Sequence, residues 1–495
     1  MRTVLWMVAW VSGVGATACS SGDGSKREGG EDSAEPADSA DVTDSAAQDS
    51  ADPAPLACAL DDAALDAALA ELVATVERAL VRNGVDGASV AIGCGEQVRA
   101  AGVGLRGPDG EAVDSATRFQ AASITKNFTA AVALSMADDG LLSLDAPVSD
   151  AVPYVNDRSP YDAPITLHDL MTHAAGYPTS FGGRSPSMDL EVYFEHLGHA
   201  ELWAPAGAVY VYSNLGASLV GLAAQEVSGT PFADLTATRV FEPAGMARAS
   251  LHAEDIRADG NFATGSSSYG NIGPEWGYLP TGYYGPMGGA WLTASDLVAW
   301  GQVHLRSDGS VLSADAFDAM HHPWIETREG VGEHQGYHLF LEDFGGTPMW
   351  GHGGSAPGFQ GQFVILPEHS LVVAVLVNGE TLYVPRVVDD FLTLLLDRTP
   401  TDPGDTVRPV ADWGRYAGRY TDLHGGLGEV DVEVDGTRAV ASASGPGCSG
   451  ELIPWIEDGF YLVCGTTYYG LTFWPDDAGT GTAYVSSLYG VAAGL

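Results

Sequence analysis

The sequence predicts an α+β protein: an antiparallel sheet flanked by helices, followed by a small C-terminal all-β domain. Three observations predict it. Strand-like segments stand at both ends of a helix-rich middle, residues 362–377 read as a hairpin, and the apolar period changes beyond a Pro/Thr/Asp-rich stretch at 399–409. A chain of 495 residues exceeds one average domain and is long enough to bury a core and a deep cleft.

Arg2, the apolar run Val4 to Val14 and the small residues Ala16-Thr17-Ala18 have the layout of an export signal over residues 1–18. The run is too short to span a bilayer. Cys19 follows directly, and the arrangement resembles a bacterial lipobox. That resemblance implies lipid attachment at Cys19 and an exported protein held on the cell envelope by the lipid alone, with plain secretion as the alternative. Residues 19–56 repeat Asp-Ser-Ala with almost no large apolar side chains, a composition that cannot pay for folding and reads as a tether.

The folded part is expected at 57–398. Leu60, Leu65, Leu69, Leu72, Val76 and Leu80 recur at helical spacing to about Asn83, and Ala88 to Ile92 and Gln97 to Gly104 look like strands. Further helices are expected at Ile124 to Asp139, Leu215 to Val227, Ser295 to Leu305 and Val387 to Leu396. Gln362 to Leu366 and Leu371 to Val377, joined by a turn at Pro367 to Ser370, make the hairpin. After the linker 399–409, Val430, Val432 and Val434 alternate before Asp435-Gly436, and aromatics recur from Phe460 to Tyr489. Residues 410–495 are therefore expected to form the small β domain, its aromatics serving as core.

Charge and cysteines exclude several function classes. With 65 acidic against 22 basic residues, the net charge is −43, a field that repels nucleic acid and anionic membrane surfaces. Setting Cys19 aside leaves Cys58, Cys94, Cys448 and Cys464, whose positions suggest two local disulfides, Cys58 with Cys94 and Cys448 with Cys464; free buried thiols are the other option. No Cys/His cluster argues for a metal, and no cofactor is called for. Gly102 to Gly107 matches GxGxxG, but Pro108-Asp109-Gly110 follows where a nucleotide site needs a helix, so a turn is expected. His321, His322, His334 and His338 lack metal-ligand spacing and read as surface or loop residues. A monomer is expected.

The chemistry concentrates on Ser123 and Lys126. Lys26 lies in the tether, so Lys126 is the only lysine of the folded region. Three residues after Ser123 at a helix start, it shares a face with the serine. Arginine stays protonated, whereas a desolvated lysine can take a proton from a serine. Downstream stand Tyr212-Ser213-Asn214, ahead of an apolar helix, and Trp350-Gly351-His352-Gly353-Gly354-Ser355, which reads as a glycine-rich edge strand.

Together with Leu170 to Gly176, Glu242 to Met246 and Thr293 to Leu297, these segments resemble the serine β-lactamase and penicillin-binding-protein family over residues 59–397. The resembling branch holds class C β-lactamases, DD-peptidases, D-aminopeptidases and esterases. The resemblance implies a β-lactamase/transpeptidase-like fold with a helical subdomain, and a lipocalin-like C-terminal domain. It also implies that Ser123 attacks a carbonyl, that Lys126 accepts its proton, and that Tyr212 shares base duty and protonates the leaving group. Asn214 would hold Lys126 and the substrate amide, and the backbone N–H groups of Ser123 and Ser355 would form the oxyanion hole. Gly353 and Gly354 would leave the strand open to an acyl group. His352 stands where many members carry lysine; as a weak, switchable positive group for a substrate carboxylate, it puts efficient β-lactam turnover in doubt.

The expected activity is serine acyl hydrolysis through an acyl-enzyme on Ser123, on an ester or D-amino-acid peptide. The alternatives are a catalytically weak protein that binds penicillin or cell-wall peptides, and a class C-like β-lactamase.

Overall fold

The computed structural model describes residues 56–492, apart from 57, 108–109, 154–163, 178–187, 198–201, 203, 269, 275–281, 328–331, 401–409, 422–426, 457, 465–466 and 476–481. The export signal, Cys19, the tether up to residue 55 and linker residues 401–409 lie outside the described residues.

In chain order the main elements are α1 (Asp62–Asn83), β1 (Gly87–Cys94), β2 (Gln97–Gly104), α2 (Thr125–Asp138), α3 (Leu167–Met171), α4 (Asn214–Ser228) and α5 (Ala294–Arg306). Strands β3 (Ile325–Glu326), β4 (His334–Gln335), β5 (Phe340–Asp343), β6 (Pro348–Ala356), β7 (Phe359–Leu366) and β8 (Leu371–Val377) precede α6 (Val384–Leu396). Helix α1 starts after Asp61, whose carboxylate accepts from Ala64 N at 2.8 Å, and stops at Gly84 with φ 65°, a left-handed cap.

The eight strands form one antiparallel sheet in the order β2-β1-β8-β7-β6-β5-β4-β3, so β1 from the start of the larger portion pairs with β8 from its end. Strand β8 is buried throughout, and its period of two divides the core. Val373, Val375 and Val377 pack with α1 and α6 on one face; Val372, Ala374 and Leu376 join the larger cluster with α2 and α5 on the other. Full burial of each such side chain contributes roughly 1.5–3 kcal/mol, so the sheet is anchored from both sides. The Gly102–Gly107 segment turns as expected: Gly104 takes φ 72° and Leu105 bridges back to Ala112.

Cys58 and Cys94 are joined, tying the segment before α1 to the end of β1. Cys448 is also disulfide-bonded, while the Cys464 side chain lies outside the described residues. At the end of β8, Asn378 is fully buried and closes the corner. Its Oδ1 accepts from Gly87 N at 2.7 Å, and its Nδ2 donates to Leu105 O at 3.1 Å and Thr264 O at 3.3 Å. Asn378→Ala leaves the buried Gly87 N–H without its acceptor and removes two partly buried hydrogen bonds, and a loss of about 2 kcal/mol is expected in a denaturant titration.

Seven strands between Gly418 and Ala492 form a separate antiparallel sheet in sequential order. Its aromatics serve as core: Trp413, Tyr416, Tyr420, Phe460 and Phe473 pack ring against ring at 4.8–6.3 Å.

Candidate active site

The nucleophile turn is built by backbone conformation before any side chain matters. Ala122 takes φ 49° and opens a 3-10 turn, Ala122–Ile124, that runs straight into α2. Because the turn continues directly into α2, Ser123 and Lys126, three residues apart, fall on one face of the helix start. Lys126 Nζ lies 3.1 Å from Ser123 Oγ and donates to the Met287 carbonyl at 2.7 Å. It is fully buried, and burial alone pushes its pKa well below the ordinary lysine value. Its Nζ also stands 5.0 Å from the Tyr212 ring centroid. The structure thus brings Ser123, Lys126 and Tyr212 together.

Ser213 caps α4 by accepting from Gly216 N at 2.9 Å, which sets Asn214 as the first helical residue, half-buried. No hydrogen bond joins Asn214 to Lys126 among the described residues; the Met287 carbonyl holds the amine instead. Met287 belongs to the Gly285–Gly288 turn, a segment with no catalytic signature in the sequence. Its signal is the run of glycines: a Cβ on Gly289 would press on the backbone of Gly285, so only small residues let the turn close over α2.

Strand β6 is not a simple edge. Strand β5 covers Pro348 to Gly351 and then ends, so from His352 to Ala356 the strand pairs only with β7. This uncovered half runs beside the nucleophile turn. Gly354 is buried there, and a Cβ on it would overlap the Ala121 carbonyl oxygen and stand 3.4 Å from the Ala122 Cβ. Its missing side chain therefore admits the nucleophile turn, and not an acyl group as the sequence suggested. Gly353 differs, since a Cβ there would meet the Gln362 Oε1 at 2.9 Å. Ser355 is exposed on the uncovered half.

His352 is 2% exposed, with its ring 4.9 Å from that of Phe340 and 6.2 Å from that of Tyr212. Burial, then the nearby Lys126, pushes its pKa down to about 3. The imidazole is therefore neutral across the physiological range, and the expected switchable positive charge is absent. The histidine expectation changes too. Both His338 and His321 stand in loops, as one of the two expected readings had it, but His338 is fully buried beside His173, and His321 is half-buried, 2.9 Å from His304 and packed on Trp350. No cluster of His, Cys, Asp or Glu among the described residues is arranged to hold a metal.

Comparison with known proteins gives the family. The beta-lactamase family model matches residues 65–398. Penicillin-binding protein 4 of Amycolatopsis lactamdurans is 28% identical over 57% of this chain and 77% of its own length. A D-aminopeptidase of Gluconobacter oxydans is 26% identical over 62% of this chain and 58% of its own length. The octameric penicillin-binding protein homologue of Pyrococcus abyssi superposes with a TM-score of 0.62 at 25% identity, covering 83% of this chain and 96% of that one.

Proposed function

The chain belongs to the beta-lactamase family, and on that footing we propose that it is a serine acyl hydrolase working through an acyl-enzyme on Ser123. The single observation that carries the proposal is the buried, depressed Lys126 amine 3.1 Å from Ser123 Oγ.

A neutral amine at that place accepts the hydroxyl proton as Oγ bonds to the substrate carbonyl carbon. The proton then passes to the leaving group, with Tyr212 beside both, as the carbon–leaving-group bond breaks. Water repeats the sequence on the ester of Ser123 and frees the acid. The N–H groups of Ser123 and Ser355, on the turn and on the uncovered half of β6, are the proposed oxyanion donors.

The substrate class follows from charge. His352 offers no positive charge, and burial draws the Lys126 amine away from its charged form, so the site favours acyl donors without a free carboxylate beside the scissile bond. An ester or the amide of a D-amino acid fits; a β-lactam or a D-alanyl carboxylate fits less well. The D-aminopeptidase among the relatives supports this preference. The wild-type chain is expected to gain one fluorophosphonate adduct, and Ser123→Ala none. With p-nitrophenyl esters and D-amino-acid amides the acyl adduct should form and decay in intact-mass time courses. A penicillin adduct that persists, with no ester or amide turnover, would mark a binding protein and overturn the proposal.

A further inference from the structure

Behind Tyr212 stands a set of imidazoles that the acyl-transfer steps do not use. His173 and His338 are at most 1% exposed, and both take the left-handed backbone conformation, with φ 57° and 50°. Glycine adopts that conformation without steric cost, so two histidines there trade backbone strain for what their rings do.

Hydrogen bonds assign the protons. The Ser213 backbone N–H can only donate, and it lies 3.1 Å from His173 Nδ1, which must therefore be bare. His173 then carries its proton on Nε2, 3.3 Å from His338 Nδ1. As acceptor, His338 Nδ1 is bare as well, and its proton sits on Nε2. That buried N–H has no hydrogen-bond partner among the described residues. On β6, His352 shows the complementary pattern: Nδ1 donates to Gly353 O at 2.5 Å, leaving Nε2 a buried acceptor that is equally unpartnered among the described residues.

The pair is tied to the site at each end. The His173 ring lies against the Tyr212 ring at 4.5 Å, tilted 37°, and against Tyr210 at 5.9 Å. The His338 carbonyl accepts from Asn127 Nδ2, one residue beyond Lys126, and its N–H donates to Met171 O at 2.9 Å. The titratable groups facing the pair are Lys126 from α2, Tyr210 and Tyr212 ahead of α4, and His352 from β6. Burial first, then Lys126 and the neighbouring imidazoles, push both pKa values well below the usual histidine range.

We propose that His173 and His338 are positioning residues: a neutral pair of fixed tautomer that holds the Tyr212 ring by stacking and the Ser213 peptide by hydrogen bond. Neutrality matters because an imidazolium 4.5 Å from the Tyr212 ring would draw the phenol toward phenolate and oppose proton uptake by Lys126. This role rests on the acyl-transfer reading of Ser123, Lys126 and Tyr212.

Two measurements on the full chain test it. Two-bond 15N–1H spectra of 15N-histidine-labelled protein report tautomers without any turnover. His173 and His338 are expected as Nε2–H and His352 as Nδ1–H, unchanged down to about pH 5; an Nδ1–H or imidazolium form of His173 or His338 overturns the proposal. The second measurement is kinetic. His338→Gly suits the backbone and removes the ring, and it should lower kcat about tenfold or more with KM within about twofold, while shifting the alkaline limb of the pH profile. His338→Asn, which tolerates the same φ and restores an acceptor to His173, should recover most of kcat and the wild-type limb. An unchanged kcat and limb in His338→Gly overturns the positioning role. If the wild type fails to hydrolyse any acyl donor, the hydrolase reading falls, and the spectra still decide the tautomers.

Discussion

Lys126→Met should cut the rate of acylation at Ser123 by about 10²–10⁴-fold and should also make the protein more resistant to denaturant at neutral pH. The two effects have one origin. Lys126 is fully buried, its pKa is lowered by burial alone, and its nitrogen hydrogen-bonds Ser123 Oγ and the Met287 carbonyl. In the unfolded chain the same amine has its ordinary value near 10.5. Between the lowered folded value and 10.5 the unfolded chain binds more protons, so stability rises with pH through that window and levels off above it. Methionine keeps most of the volume and removes the titration, so the variant should lose this slope. Urea midpoints at pH 7 and pH 9.5, beside adduct formation followed by intact mass, check both halves. A variant with the wild-type pH slope would show that Lys126 is protonated in the fold and is not the base. Lys126→Arg separates the roles further, since a permanent cation in that pocket should be inactive and less stable.

Much of this site was legible because its chemistry sits in side chains at short spacing. Ser123 and Lys126 are three apart, the folded region has no other lysine, and Tyr212 directly precedes the Ser213 cap of α4. The sheet was legible for a similar reason, since β7 and β8 carry apolar side chains on both faces and a turn at Pro367 to Ser370. What escaped sequence reasoning is carried by backbone and by burial. The Met287 carbonyl has no side-chain signature at all. His173 and His338 are 165 residues apart in the chain, and the left-handed backbone that both adopt has no signature in a histidine. The fixed neutrality of His352 depends on burial under Phe340 and Tyr212, and a Gly-rich strand sequence does not state which face is covered.

Gly354→Ala is expected to be the most damaging change of a single methyl group in the site, lowering acylation by about a hundredfold or more and stability by about 1–3 kcal/mol. The new Cβ would overlap the carbonyl oxygen of Ala121, which belongs to backbone and cannot rotate away. Ala121 is itself pinned, since its N–H donates to Ala290 O at 2.8 Å and its carbonyl accepts from Ile124 N at 3.3 Å. Strand β6 has no slack either, because β7 pairs with it through Ala356. The turn and the strand must therefore separate, and with them the N–H groups of Ser123 and Ser355 that are proposed to face one carbonyl oxygen. Gly353→Ala provides the control one residue away. Its Cβ meets the Gln362 Oε1, the end of a side chain that can swing aside, so acylation should stay within about fivefold of wild type. Fluorophosphonate labelling rates and thermal midpoints of the two variants test the contrast. Equal effects would mean that the close approach of β6 to the nucleophile turn does not set the acylation geometry. A large loss at Gly354 alone would tie the glycine-rich strand to the placement of the oxyanion donors, through a contact that no catalytic side chain makes.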